Sequence, residues 1–258
     1  MAEATVKMLA EKAGFPNHLD AKASSLIDSM DKSGIDRSVI LPALTAPRQF
    51  DSVNRFTREI ASRSEGRLIP FGGIHPDCEA LEEKIEFLSK NGFYGIKLHP
   101  DYQQTFIDDE KYIKVITLAI KNGLAVTIHA GLDVGMPDPV HCPPVRAARM
   151  LDRVLSSTIG YDPRIILAHM GGYAMSREVI EYLCSYDVYF DTGFTLFEKD
   201  LDNTLEIIRT HGASKILFAS DSPWAPQDAY LKAFKRLPLS DADKAMILGL
   251  NAERILGL

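Results

Sequence analysis

The chain of 258 residues is poor in cysteine: Cys78, Cys142 and Cys184 lie far apart, odd in number, with no Cys-x-x-Cys. That excludes a disulfide framework and a thiolate zinc knuckle, and it fits a reducing cytoplasm. No apolar run approaches the ~18 residues of a membrane span. The opening residues, Met1 to Lys7, lack the apolar stretch of a signal peptide. Positive charge is also short. Lys plus Arg number 29 against 35 Asp plus Glu, a net charge of -6, which argues against a nucleic-acid partner. No Gly-x-Gly-x-x-Gly follows the first strand-like run, so a dinucleotide-binding sheet loses its main support. There is no low-complexity tract, linker or short-period repeat. Residues 1–258 therefore read as one domain acting on a small-molecule substrate, with neither membrane nor nucleic acid involved.

What is present is an alternation of short β-branched runs with longer amphipathic ones. Strands are predicted at 38–41, 68–72, 95–98, 125–128, 165–168, 188–190 and 216–219. Each is short, apolar and bounded by Gly, Pro, Asp or His, as suits strands buried on both faces of a parallel sheet. Helical stripes fall between them: Leu26, Ile27 and Met30; Leu81, Ile85 and Leu88; Tyr112, Val115, Ile116 and Ala119; Val145, Ala148, Met150 and Leu151. Asn91-Gly92 and Asn122-Gly123 stand where two of these helices should stop. Repeated βα units give either a doubly wound sheet or a closed (β/α)8 barrel.

The chemistry gathers at strand ends. Lys97 and His99 close Gly-Ile-Lys-Leu-His-Pro, His129 closes Val-Thr-Ile-His, His169 closes Ile-Leu-Ala-His, His75 closes Gly-Gly-Ile-His, and Asp221 follows Leu-Phe-Ala-Ser. In a barrel all these ends face the mouth where the active site is built. Histidines and an aspartate converging there suit a divalent metal such as zinc, which takes imidazole nitrogen and carboxylate oxygen. Lys97 and His99 are two apart, so both can face the lumen while Ile96 and Leu98 pack against helices. Singly, each has a plainer reading: a hydrogen-bonded structural histidine, a lysine paired in the core, an aspartate capping a turn. Their joint occurrence at equivalent ends favours function. His141, in the His-Cys-Pro-Pro loop, serves equally as mouth or as surface. His18 and His211 read as solvent-exposed, and Cys142 has no base placed beside it.

These motifs resemble the amidohydrolase superfamily, in particular the amidohydrolase-related (amidohydrolase 2) metal-dependent hydrolases. The matching segments are Gly-Ile-Lys-Leu-His-Pro at 95–100, Ile-His-Ala-Gly at 128–131, Ala-His-Met-Gly-Gly at 168–172, Ala-Ser-Asp-Ser-Pro-Trp at 219–224 and the closing Asn-Ala-Glu-Arg-Ile-Leu at 251–256. The resemblance implies a TIM-type (β/α)8 barrel holding one or two divalent metals, zinc first and manganese second. It implies that His129 ligates metal, that His169 ligates a second metal or polarises the substrate, and that Asp221 binds metal and shuttles the proton. Lys97 sits where two-metal relatives carry a carboxylated lysine.

The departure is at the start. The family's first strand carries His-x-His, and this chain has none. Residues 5–14 already look like the helix that should follow that strand. Seven strands are thus expected where a closed barrel needs eight. The expectation is that the natural protein carries the missing strand upstream; otherwise His75, His99 and His141 are the candidates for replacement ligands or substrate contacts. The leading expectation is a metal-dependent hydrolase of a C–N, ester or lactone bond using metal-activated water, with Asp221, His169 and Lys97 as catalytic groups. The alternatives are a metal-dependent decarboxylase of an unsaturated or aromatic acid, and a catalytically incomplete barrel acting as a binding subunit. An open seam would expose apolar surface and is compatible with a homo-oligomer.

Overall fold

A computed structural model describes residues 2–136, 138–197 and 201–258. Seven parallel strands pair in sequence order: β1 Ser38–Ile40, β2 Leu68–Gly73, β3 Gly95–Leu98, β4 Ala125–Ile128, β5 Ile165–Leu167, β6 Tyr189–Asp191 and β7 Ile216–Leu217. All seven fall where the apolar runs predict them. The sheet curls as a TIM-type barrel lacking its first strand, and among the described residues β7 does not pair with β1.

The helices that matter for the site are α1 (Ala2–Ala13), α2 (Ala23–Ser33), α3 (Phe50–Ser62), α4 (Leu81–Lys90), α5 (Glu110–Lys121), α6 (Pro144–Ser157), α7 (Ser176–Tyr182), α8 (Leu201–His211) and α9 (Gln227–Lys235). Two short C-terminal helices follow, α10 (Asp241–Ala245) and α11 (Asn251–Leu256). The Asn-Gly pairs end α4 and α5 as expected, with Gly92 and Gly123 both at positive φ. Asp109 starts α5 by accepting a hydrogen bond from the Lys111 N–H at 2.9 Å. On α6 the buried stripe is Ala147, Met150, Leu151 and Val154, while Val145 turns outward.

Strand alternation divides the interior into two cores. Ile96, Leu98, Val126, Ile128, Ile165, Leu167, Phe190 and Ile216 point outward into the main core beneath the helices. Ile69, Phe71, Ala125, Ile166, Tyr189 and Leu217 point into the lumen, where Ile255 and Leu256 of α11 join them as its floor. Gly95 is required there: a Cβ would stand 2.5 Å from both the Phe71 ring and the Ala125 carbonyl oxygen. Above that floor the same inward positions carry Lys97, Thr127 and Asp191, all buried.

Within the seam, the edge of β7 is covered by the C-terminal segment. Leu217 bonds toward β6 by accepting from the Thr192 N–H, so Ile216 and Phe218 direct their backbone groups the other way. Asn251 Nδ2 donates to the Ile216 and Ala213 carbonyls at 2.8 Å each. The Phe218 N–H donates to Ile247 O at 2.9 Å. An edge blocked in this way offers no template for another strand.

Candidate active site

The C-terminal strand ends bring most of the expected residues together. His99 directly follows β3, and its ring lies between two others. Tyr102 stacks on one face at 3.7 Å between centroids, and His129 on the other at 4.1 Å and 7°. His99 Nε2 faces Asp133 Oδ2 at 3.5 Å. His129, just beyond β4, contacts His169 beyond β5, Nδ1 to Nε2, at 3.0 Å. His141 donates through both its backbone N–H and Nδ1 to Asp101 Oδ1, at 3.0 and 3.1 Å. Asp101 turns its other oxygen toward His129 Nε2, 3.7 Å away.

The tautomers follow from the partners. His169 Nδ1 lies 2.8 Å from the Gly193 carbonyl oxygen, which can only accept, so Nδ1 carries the proton. A neutral His169 then presents a lone pair at Nε2 and accepts from His129 Nδ1–H. His129 Nε2 is left with a lone pair. It is buried without a hydrogen-bond partner, and so is Asp101 Oδ2. Burial holds both His129 and His99 well below the usual imidazole range, and neighbouring positive groups, Lys97 among them, push the same way.

A second group lies across the lumen. Lys97 makes no hydrogen bond or ion pair among the described residues, but it feels Asp191 and Asp221. Burial lowers its pKa, and the two carboxylates oppose that shift. Burial raises the Asp221 carboxyl; His169 and Lys97 act against this and Asp191 adds to it. Gly193 lets these groups approach, since a Cβ there would stand 3.3 Å from His169 Nδ1 and 3.4 Å from Asp221 Cβ. His169 and Asp221 both hold left-handed backbone, φ 57° and 58°. That conformation costs a non-glycine residue about 1–3 kcal/mol and marks functional turns. Asp191 Oδ1 steadies the region by accepting from the N–H groups of His169 and Gly193.

One expected residue and two that the sequence set aside find other company. His75 is buried at the end of β2 but turns to Asp77, whose N–H donates to its Nδ1 at 3.1 Å. Cys142 is buried, and burial pushes its thiol far above the ordinary range, which disfavours a thiolate there. His211, read from sequence as exposed, is half-buried between the carbonyls of Cys184 and Val188. The residues that sequence reading missed are Asp101, Asp133 and Asp191. Asp101 and Asp133 follow strand-end histidines by two and four residues, a short spacing that could have flagged them.

The donors fit a divalent cation. His99, His129 and Asp133 each offer one ligand atom, all within 4.8 Å of one another. The unpartnered pair, His129 Nε2 and Asp101 Oδ2, consists of two electron-pair donors that cannot satisfy each other while the imidazole is neutral.

A curled parallel sheet with imidazoles and carboxylates at its C-terminal strand ends defines the class of TIM-barrel metal enzymes. Within that class the chain belongs to the amidohydrolase family (Amidohydro_2), whose model matches residues 26–258. Among solved structures it resembles 2,6-dihydroxybenzoate decarboxylase from Rhizobium, with 19% identity, TM-score 0.71, and coverage of 90% of this chain and 87% of that one. It resembles 5-carboxyvanillate decarboxylase from Novosphingobium aromaticivorans, a complex with manganese and 4-hydroxy-3-methoxy-5-nitrobenzoic acid, with 17% identity, TM-score 0.70, and coverage of 90% and 79%. An uncharacterized TIM-barrel protein from Bordetella bronchiseptica matches with 19% identity, TM-score 0.76, and coverage of 98% and 90%. No curated protein matches the chain.

Proposed function

We propose that the protein is a metal-dependent decarboxylase of an aromatic or unsaturated acid, using zinc or manganese. This moves the second expectation from sequence ahead of the hydrolase. The observation that carries it is the lumen group of Lys97 and Asp221: a buried amine with no hydrogen-bond partner among the described residues, close enough to feel a carboxyl that burial biases toward its protonated form. The likeness to two decarboxylases of hydroxylated benzoates supports the same reading.

A divalent cation held by His129 and its neighbours would supply positive charge to fix the substrate's anionic oxygens. Lys97 would bind the carboxylate that is to leave, because nothing among the described residues already engages its amine. Asp221 would give its proton to the carbon bearing that carboxylate. The carbon–carbon bond then breaks, its electron pair restores the π system, and CO2 departs. His169 keeps the His129 ring in place through the bond from Nδ1–H to Gly193 O. Tyr102 and the buried histidine rings would shield the reacting carbon from water.

The test is a panel of hydroxybenzoic acids beside lactones, esters and amides, with Zn2+ or Mn2+ added. Release of CO2 from the acids is the expected result. Hydrolysis of a lactone, ester or amide with no CO2 from any acid would overturn it in favour of the hydrolase.

A further inference from the structure

A buried glutamine joins three loops of the rim on the side where the sheet is open. We infer that Gln103 is a positioning residue of the site: its amide locks the loops after β1, β2 and β3 to one another and so sets where the His99 ring stands. Its effect on turnover rests on the decarboxylase reading, but its effect on the loops does not.

The side chain is buried and has no bonding capacity to spare. Gln103 Nε2 donates to Leu44 O at 3.1 Å and to Ile74 O at 2.7 Å. Its Oε1 accepts from the Tyr112 hydroxyl at 2.6 Å and from the His99 N–H at 3.2 Å. A primary amide carries two donor hydrogens and two acceptor lone pairs, and all of them are used. The partners also decide which end of the amide is which, because the carbonyls can only accept and the backbone N–H can only donate. Burial holds the Tyr112 phenol well above its ordinary range, so it stays a donor.

Each partner belongs to a segment that needs holding. Among the described residues β1 is only half-buried and pairs with β2 alone. The loop after it is gathered by Gln49 Oε1, which accepts from the Thr45 and Ala46 N–H groups at 2.8 and 3.0 Å. Leu44 is buried and passes so close to the end of β2 that a Cβ at Gly73 would stand 2.0 Å from its Cδ1. Asn54 of α3 holds Gly73 in both directions, accepting from its N–H at 2.8 Å and donating to its carbonyl at 2.9 Å. Ile74, the next residue, gives its carbonyl to Gln103. After β3 the Gln103 N–H donates to His99 O at 3.0 Å, so one residue holds His99 at both its N–H and its carbonyl. On that fixed backbone the His99 ring lies between Tyr102 and His129. Leu44 and Ile74 reach Gln103 across 59 and 29 residues of chain, so removing one amide unpairs groups in all three loops at once. A shift of about 1 Å at a reacting site, even one caused from outside it, can cost on the order of 10²-fold in rate.

The experiment measures hydrogen–deuterium exchange and CO2 release on wild type, Gln103→Met, Tyr112→Phe and Asn251→Ala, with circular dichroism to show that each variant folds. In Gln103→Met the segments 42–49, 73–79 and 99–105 should all exchange about 10-fold faster or more, while 168–173 on the far side of the rim keeps its wild-type protection. CO2 release per folded chain should fall on the order of 10²-fold, in kcat rather than KM. Tyr112→Phe, which removes one of the four bonds, should move both readouts the same way by about 3–10-fold. Asn251→Ala also strips two carbonyls of a buried amide, but at the opposite end of the barrel, and its turnover per folded chain should stay at the wild-type level. Faster exchange confined to 99–105, or wild-type protection in all three segments, overturns the lock. A wild-type kcat in a folded Gln103→Met whose three loops have loosened overturns the positioning role. If Gln103→Met does not fold, Tyr112→Phe is judged by the same outcomes. A wild type that releases no CO2, with all three loops loosened in Gln103→Met, keeps the lock and sinks the decarboxylase.

Discussion

The lumen has two halves built by the same strands. The lower half is Ile69, Phe71, Ala125, Ile166, Tyr189 and Leu217, closed from below by Ile255 and Leu256. The upper half is Lys97, His99, Asp101, His129, Asp133, His169, Asp191 and Asp221. One register, continued upward, passes from apolar contact to ionisable groups within a few residues: Phe71 lies beside Gly95, and Lys97 is the next inward position on β3. The lesson is that stability and chemistry are separated along the strand axis. Substitutions in the floor should cost folding and spare the site, and substitutions at the rim should do the reverse.

The sharpest way to break that division is Asp221→Asn. If Asp221 is the proton donor, CO2 release should fall on the order of 10³-fold, within the range for a positioned acid. That corresponds to about 4 kcal/mol of barrier at ~1.4 kcal/mol per factor of ten. Burial disfavours the ionised carboxyl, so the variant should be at least as stable as wild type near neutral pH. Turnover and a urea midpoint measured on one preparation check both halves; a large loss of stability would tie the rim to the fold. Phe71→Ala is the converse. It removes a ring that is 0% exposed and leaves a cavity against Gly95, at a cost of about 3–5 kcal/mol in chemical denaturation. Its bound metal per folded chain should not change.

Asn251→Ala probes the floor where the sheet is open. Its amide serves two carbonyls, of Ala213 and Ile216, and the side chain is buried. Leaving them unpaired should cost about 1–3 kcal/mol. The urea midpoint should drop without loss of metal. A drop as large as that of Phe71→Ala would mean that the seam, rather than the floor, dominates stability.

The lower half was largely legible in the sequence, because each strand is a short apolar run and alternation decides which residues turn inward. At the rim, Lys97, His99, His129, His169 and Asp221 were legible for the same reason: each sits at or just after a strand end. Asp191 was missed because β6 runs one residue further than the apolar run, to Asp191 itself. Asp101 and Asp133 were missed because they lie in loops, where period-two reasoning does not reach. The orientation of His129 was out of reach altogether. It depends on the Gly193 carbonyl, which meets His169 across 24 residues of chain and is set by tertiary packing. The cover over the β7 edge is equally long-range, with Asn251 meeting Ile216 across 35 residues.

His75 gives the smallest and most discriminating test, because it shares the rim with the site but not its partners. Its ring is buried, and burial lowers its pKa below the ordinary 6.5; Asp77 opposes the shift and Lys111 reinforces it. The sign follows from proton counting. Below pH 6.5 the unfolded chain binds a proton at this position that the folded chain resists, so the contribution of neutral His75 to stability is present above pH 6.5 and is lost as pH falls toward its folded pKa. His75→Gln cannot take up that proton, and its stability should decline less steeply between pH 6.5 and 5 by under about 1 kcal/mol, the nearby carboxylate and solvent limiting the effect. Urea midpoints at several pH values in that window measure it. Bound zinc should stay at the wild-type level, because His75 Nδ1 is engaged by the Asp77 N–H rather than turned toward His129. Loss of zinc in this variant would move the end of β2 into the metal site and erase the distinction between a histidine that holds the rim and one that works there.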